Sequence, residues 1–435
     1  MTVRTRFWLI AGIRWLATGL IVPVAALLPL ERGLTIAEYG AVAAVQGVVV
    51  LVLELPTGGF ADAVGRKPVF VASAVVAVCS YAVYALAHTP AAFAVATGLA
   101  GAYRALDSGP LNAWFVDSVH ATTPPAERSS VVARGLAGYA SIVGVGVATG
   151  ALLAGGLVAW APLGRADALA LPYWIAIGLT LLQMAVALVL MDEPDARGRG
   201  RFGASLRATP RTIVTGAQLV LRSRVLAALM AVMLLWGFGI IAFESMTPIR
   251  LADLLGDREA AASLMGPATA AAWGVSAVGA ALVPMMLRRW SMVAVSVVLR
   301  IVQGATVVAM GLAGGPVGVV LGLLATYAVH SAAGAIYETL LHERVGAEHR
   351  ATVLSLSSMA MHPGASVGLV VLGAVATDSS PGSAMIVGGV VLALAAPLFL
   401  VRDRQGRGPV TATPPMLDGD GGIQPAGDGV EARHG

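Results

Sequence analysis

The sequence predicts an all-α membrane protein that crosses the bilayer twelve times as two pseudo-symmetric bundles of six helices. Of its 435 residues, 57% are hydrophobic and only 12% charged, a balance too apolar for a chain dissolved in water. The apolar residues come in unbroken runs of about 20, the length of a spanning helix, rather than the short alternating segments of a barrel. A polar, arginine-rich stretch near the middle leaves six runs on either side. Hydrocarbon satisfies no backbone N–H or C=O, so runs of this length must be helical.

In chain order the expected spans are 7–29, 38–60, 68–88, 91–116, 133–160 and 171–191, then 225–249, 262–287, 291–312, 315–341, 353–376 and 383–401. The first reads as a retained span: Arg4 and Arg6 precede it, but Arg14 interrupts it and no small-residue cleavage site precedes Glu31. The chain therefore divides into a bundle over 1–191, a cytoplasmic linker over 192–224 and a second bundle over 225–401. Residues 402–435, rich in Gly, Pro and Asp, read as a disordered cytoplasmic tail. The single cysteine, Cys79, lies in an apolar run and reads as a small hydrophobe.

Basic residues set the orientation, because short translocated loops are depleted in them. With both termini cytoplasmic, only Arg32, Arg165, Arg250 and Arg258 fall outside. Thirteen fall inside, Arg134 at the cytoplasmic edge of the fifth span counted among them, even when the linker arginines and Arg433 are left out of the count. The expected location is a cell membrane, plasma or bacterial inner, with multiple passes.

A short internal echo accompanies the two halves. Glu127-Arg128-Ser129-Ser130-Val131-Val132 enters the fifth span and His349-Arg350-Ala351-Thr352-Val353-Leu354 the eleventh, each with a carboxylate upstream, Asp117 and Glu338. Between spans 2 and 3 the chain reads Gly58-Gly59-Phe60-Ala61-Asp62-Ala63-Val64-Gly65-Arg66-Lys67-Pro68. Gly58 permits close helix approach, Gly65 a tight turn, and Asp62 with Arg66 offers opposite charges at the membrane edge. This stretch resembles the loop 2-3 signature of the major facilitator superfamily, Gly-x-x-x-Asp-x-x-Gly-Arg-Arg/Lys. The resemblance implies a conformational latch formed by Gly58, Asp62, Gly65, Arg66, Lys67 and Asp117, close to the start of span 11. Arg104 stands roughly where the family often has an arginine implicated in proton transfer. The drug-antiporter signature of span 5 is matched only in part, by Gly146-Val147-Ala148-Thr149-Gly150 and Gly155-Gly156, without the proline after Gly150.

Ionisable groups inside a membrane cost about 3 kcal/mol each on insertion scales and pair or face a wet cavity. Arg104 and Asp107 lie three apart and are expected to pair on one helical face, beside a kink at Pro110. Arg14 and Glu54 lie at comparable depths and are expected partners. Glu244, Arg300 and Glu338 complete the proton-coupling or cavity candidates, and His330 reads as a core residue. A proton-coupling carboxylate must change its surroundings during transport, and Asp107 fits best. Trp114, Trp236, Phe238, Trp273 and Tyr337 are candidate cavity aromatics.

Other function classes find little support. Lys67, the only lysine, is followed by Pro68, so no phosphate-binding Gly-Lys-Ser/Thr exists. His342-Glu343 lacks the second histidine of a zinc hydrolase motif, and no nucleophile motif occurs. The expectation is a transporter rather than an enzyme, without cofactor, metal or nucleic acid. It is expected to act as a monomer on a small molecule with protons as the coupling ion. Efflux of an amphipathic compound or drug by antiport is the leading direction; uptake of a nutrient or organic anion, or a nontransporting receptor, is the alternative.

Overall fold

A computed structural model describes residues 1–160, 163–192, 218, 220–345 and 350–402, apart from the side chains of 55–63 and 350–352. The regular elements of these residues are helices: α1 (Val3–Ile21), α2 (Leu27–Glu31), α3 (Ile36–Val64), α4 (Arg66–Leu86), α5 (Pro90–Asp107), α6 (Pro110–Thr122), α7 (Pro125–Trp160) and α8 (Arg165–Leu190). There follow α9 (Arg224–Glu244), α10 (Met246–Leu255), α11 (Arg258–Ala281), α12 (Val283–Leu287), α13 (Met292–Leu312), α14 (Pro316–Glu343), α15 (Arg350–Asp378), α16 (Pro381–Leu394) and a 3-10 turn, Ala396–Leu400. Most of the expected linker, and the expected tail from 403 onward, lie outside the described residues.

Among the described residues, ten helical stretches are long and apolar enough to cross a membrane. The two remaining expected spans are interrupted ones. The first carries Arg4, Arg6 and Arg14 on α1 and then turns before α2. The fourth is divided into α5 and α6. Here the expectation of a kink is corrected: the helix stops at Asp107, Gly109 takes φ 104°, and Pro110 opens a new helix. A left-handed φ suits glycine, and proline at a first helical position has no N–H to leave unsatisfied. Helix α7 starts at Pro125 rather than at 133, so it projects beyond the expected span.

Helix packing repeats between the halves. α1 lies on α7 and α8 as α9 lies on α15 and α16; α4 packs on α5 and α8 as α13 packs on α14 and α16. We call the face at which α1 begins the terminal face and its opposite the distal face. On the terminal face, Arg6 Nη1 meets Asp192 at 2.5 Å and Lys67 donates to the Leu188 carbonyl at 2.7 Å. On the distal face each half carries the same clamp. Arg32 donates to the Ala85 and Ala87 carbonyls, both at 2.6 Å, at the end of α4, and Arg250 donates to the Ala313 carbonyl at 3.0 Å, at the end of α13. A guanidinium there satisfies carbonyls that the finished helix leaves without partners.

The halves meet along two seams, α3 on α15 and α7 on α11. Small residues let the backbones close. A Cβ built on Gly155 would lie 2.7 Å from the Ser263 oxygen and one on Gly266 2.7 Å from the Ala151 oxygen; Gly40 faces Leu369 and Gly373. Near the distal face the Ala37 N–H donates to Thr377 Oγ1 at 2.9 Å, and Arg258 meets Glu31 at 2.9 Å. The buried apolar residues follow this division. One continuous cluster joins the distal parts of both halves, from Ala17 to Leu392. Toward the terminal face, the described residues form two separate clusters, one around Phe7, Phe115 and Trp114, the other around Leu226, Tyr337 and Phe399.

Candidate functional site

Where the shared distal core gives way to two separate ones, charged and aromatic side chains from both halves converge. In the first half, Arg14 of α1 forms its ion pair with Asp107, the last residue of α5. The guanidinium also lies over the Trp15 ring, 4.3 Å from its centroid, and Trp15 Nε1 donates to the Tyr139 hydroxyl at 3.2 Å. Two expected pairings are thereby corrected. Arg14 meets Asp107 rather than Glu54, and Asp107 turns away from Arg104. The cause is the helix end: at the terminus of α5 the Asp107 carboxylate is buried against α1, while Arg104, one turn earlier, stays exposed.

Arg104 instead lies within electrostatic range of Glu54, Glu244 and His362. Glu54, on α3, reaches across the seam to α15. Its Oε1 accepts from Ser358 Oγ at 3.2 Å and its Oε2 lies 3.6 Å from His362 Nε2. Glu244, the last residue of α9, accepts from the Tyr327 hydroxyl at 3.2 Å.

The second half contributes a cavity of ≈ 360 Å³, with Trp236, Trp273, His330, Tyr337, Arg300 and Glu338 among its lining residues. Arg300 of α13 and His330 of α14, whose separation the sequence does not reveal, are joined through Gln303. Arg300 Nη1 donates to Gln303 Oε1 at 2.8 Å, and Gln303 Nε2 lies 3.4 Å from His330 Nδ1. With its oxygen engaged by the guanidinium, the Gln303 amide presents N–H to His330, an arrangement that suits an imidazole with Nδ1 as acceptor. The imidazole sits among three rings, stacked on Trp236 at 5.8 Å between centroids, edge-on to Phe243 at 5.8 Å and tilted against Tyr327 at 5.2 Å.

Of the five aromatics proposed as cavity walls, Trp236, Trp273 and Tyr337 line it. Trp114 is buried in the terminal-side core with Nε1 donating to the Asp192 carbonyl at 2.8 Å, and Phe238 packs on the distal core. Their hydrophobicity alone gave no sign of this division. Sequence reasoning passed over Gln303, Tyr327, Ser358 and His362. The only available signal was a polar residue in an apolar run, weakest for serine and tyrosine.

At the expected latch, Gly65 takes φ 113° before α4, a value that favours glycine. Arg66 Nε meets Asp117 Oδ2 at 3.5 Å, a long and partly exposed contact. The side chains of Gly58 to Ala63, Asp62 included, and those at the start of α15 lie outside the described residues.

The profile of the Major Facilitator Superfamily matches residues 7–356. No curated protein matches the chain. Among solved structures, the nucleoside transporter NupG superposes with a TM-score of 0.75 at 14% identity, over 93% of this chain and 100% of that one. A bacterial homolog of the human lysosomal transporter Spinster, inward-facing and unoccupied, gives 0.69 at 15% identity over 91% and 95%. The human organic anion transporter MFSD10 gives 0.59 at 16% identity over 91% and 98%. At these identities the likeness is one of fold.

Proposed function

Because the chain belongs to the major facilitator superfamily, a family of multi-pass membrane transporters, we propose that it moves a small amphipathic compound by alternating access, coupled to protons. The observation that carries this reading is the asymmetry of the core: among the described residues, one apolar cluster spans both halves distally, and the clusters toward the terminal face each belong to one half. Two bodies joined at one end and parted at the other can exchange which end is joined. With the termini in the cytoplasm, as the arginine distribution favours, the state described here is closed to the outside.

Coupling requires a group whose surroundings differ between the two states. Asp107, favoured from sequence, keeps its Arg14 partner within one half and has little reason to change. Glu54 is the better assignment. Its contacts with Ser358 and His362 cross the α3/α15 seam and are lost when that seam opens, whereas Arg104 moves with it. Glu244, held by Tyr327, is the second carboxylate within electrostatic range of Arg104. A proton taken up at these carboxylates from one face and released to the other drives the return of the empty carrier.

Export of the compound in exchange for protons is the proposed direction. Uptake is the second reading, favoured by Arg300 on the cavity wall, which suits an anion drawn in with protons. Accumulation of radiolabelled candidate compounds by intact expressing cells separates the two. Under export, a protonophore raises accumulation; under uptake, it lowers it. Equal accumulation by expressing and deletion cells across a broad panel, with no flux in reconstituted vesicles, would overturn transport in favour of a receptor.

A further inference from the structure

Two arginines are deeply embedded in the described helices, and their surroundings differ. Arg14 has a carboxylate, Asp107. Arg300 is 3% exposed, lines the ≈ 360 Å³ cavity, and has no carboxylate partner among the described residues. Among the described residues its hydrogen-bond partner is the neutral Gln303 amide oxygen, and its Nε has none there. A buried cation left without a counter-charge is costly, and proteins keep one where it faces a pathway or a ligand. The rest of the wall specifies what accompanies the negative charge. Trp236, Trp273, His330 and Tyr337 supply ring surface, and Ser331, Ser357 and Ser358 supply hydroxyls. Glu338, also on the wall, disfavours a second negative charge. The volume lies at the lower end of the range for small-molecule pockets.

We propose that the second-half cavity binds a small aromatic monoanion, its ring stacked among Trp236, Trp273 and Tyr337 and its carboxylate or equivalent group paired with Arg300. This rests on the transporter reading for its purpose but not for its test. The guanidinium supplies the charge and a planar donor edge, and Gln303 holds it in place through Nη1. Gln303 thus acts as a positioning residue, with His330 closing the line behind it. An anion preference favours the uptake reading and is also compatible with export.

The experiment uses purified full-length protein in lipid nanodiscs and three isosteric probes: 1-naphthoate, neutral 1-naphthamide and cationic 1-naphthylmethylamine, each titrated by calorimetry and tryptophan quenching. Naphthoate is expected to bind at least tenfold more tightly than the amide, and the cation most weakly. Arg300→Gln should erase the preference while leaving amide affinity within about twofold, which also reports that the variant is folded; Arg300→Lys should retain part of it, and Trp236→Ala should weaken naphthoate and amide together. Arg289→Gln, at an exposed position outside the cavity, should leave the preference intact. Equal affinities for naphthoate and amide, no naphthoate binding at millimolar concentration, or a preference kept in Arg300→Gln would each overturn the assignment. Naphthoate binding without gradient-driven flux would sink the transport reading alone; flux without charge preference would sink this inference alone.

Discussion

Replacing Gly155 with alanine places a methyl carbon 2.7 Å from the Ser263 carbonyl oxygen and 3.1 Å from Gly266 Cα, both backbone atoms that no rotamer change can remove. Ordinary contact begins near 3.4 Å, so α7 and α11 must separate by about 0.7 Å, the gap between 2.7 and 3.4 Å. Overpacking of this kind costs about 1–3 kcal/mol, and the cost falls only on the state in which the distal seam is closed. A bias of that size shifts a two-state equilibrium by a factor of roughly 5 to 150. Gly156, one residue on, provides the control: a Cβ there meets nothing within 4 Å. Both substitutions gain the same helix propensity, about 1 kcal/mol. The assay places a reporter at Ser366→Cys, on the other seam, where the native hydroxyl donates to the Ala44 carbonyl at 3.3 Å, in a Cys79→Ser background. Labelling by a membrane-impermeant thiol reagent from the distal side should accelerate by roughly 5- to 150-fold in Gly155→Ala and stay unchanged in Gly156→Ala. Equal labelling rates in the two variants would refute the idea that the halves move as bodies hinged at these seams.

Asp107→Asn leaves Arg14 charged and buried, and should lower stability by about 3–5 kcal/mol, read as an earlier thermal transition in detergent. The pair Arg14→Met/Asp107→Leu should lose much less. Glu54→Gln should retain ligand binding but lose the pH dependence of transport; an unchanged pH profile would return the coupling role to Asp107 or Glu244. Asp62→Asn should impair transport while leaving membrane insertion and yield intact, and wild-type flux in that variant would remove Asp62 from the latch.

The architecture was legible because it is written in solvent preference. Runs of about 20 apolar residues have no stable alternative in hydrocarbon, and the glycine-and-charge pattern from Gly58 to Lys67 carried the family. The break at Ser108–Gly109 was missed because Pro110 read as an interior residue that bends a helix, whereas it is the first residue of α6. The intramembrane charges were paired incorrectly. Local spacing suggested Arg104 with Asp107, and matching depth suggested Arg14 with Glu54. The pairs formed depend on which helices are neighbours and how each is rotated, which a single helix does not encode. Arg14 meets Asp107 because α1 and the end of α5 converge; Glu54 meets His362 because α3 packs against α15. The Arg300–Gln303–His330 line is half local, with Gln303 one turn from Arg300, and half tertiary.

The paired arginine clamps at Arg32 and Arg250 bear on how force travels through the molecule. Each fastens the distal end of one helix to a neighbour two spans later, through backbone carbonyls that stay fixed whatever the side chains around them do. A carrier whose halves bent internally would dissipate, in scattered local adjustments, the work done when a ligand draws the cavity walls together. Fastened in this way, the distal end of each half is braced backbone to guanidinium, an arrangement that favours movement of that end as one piece around the Glu31–Arg258 contact.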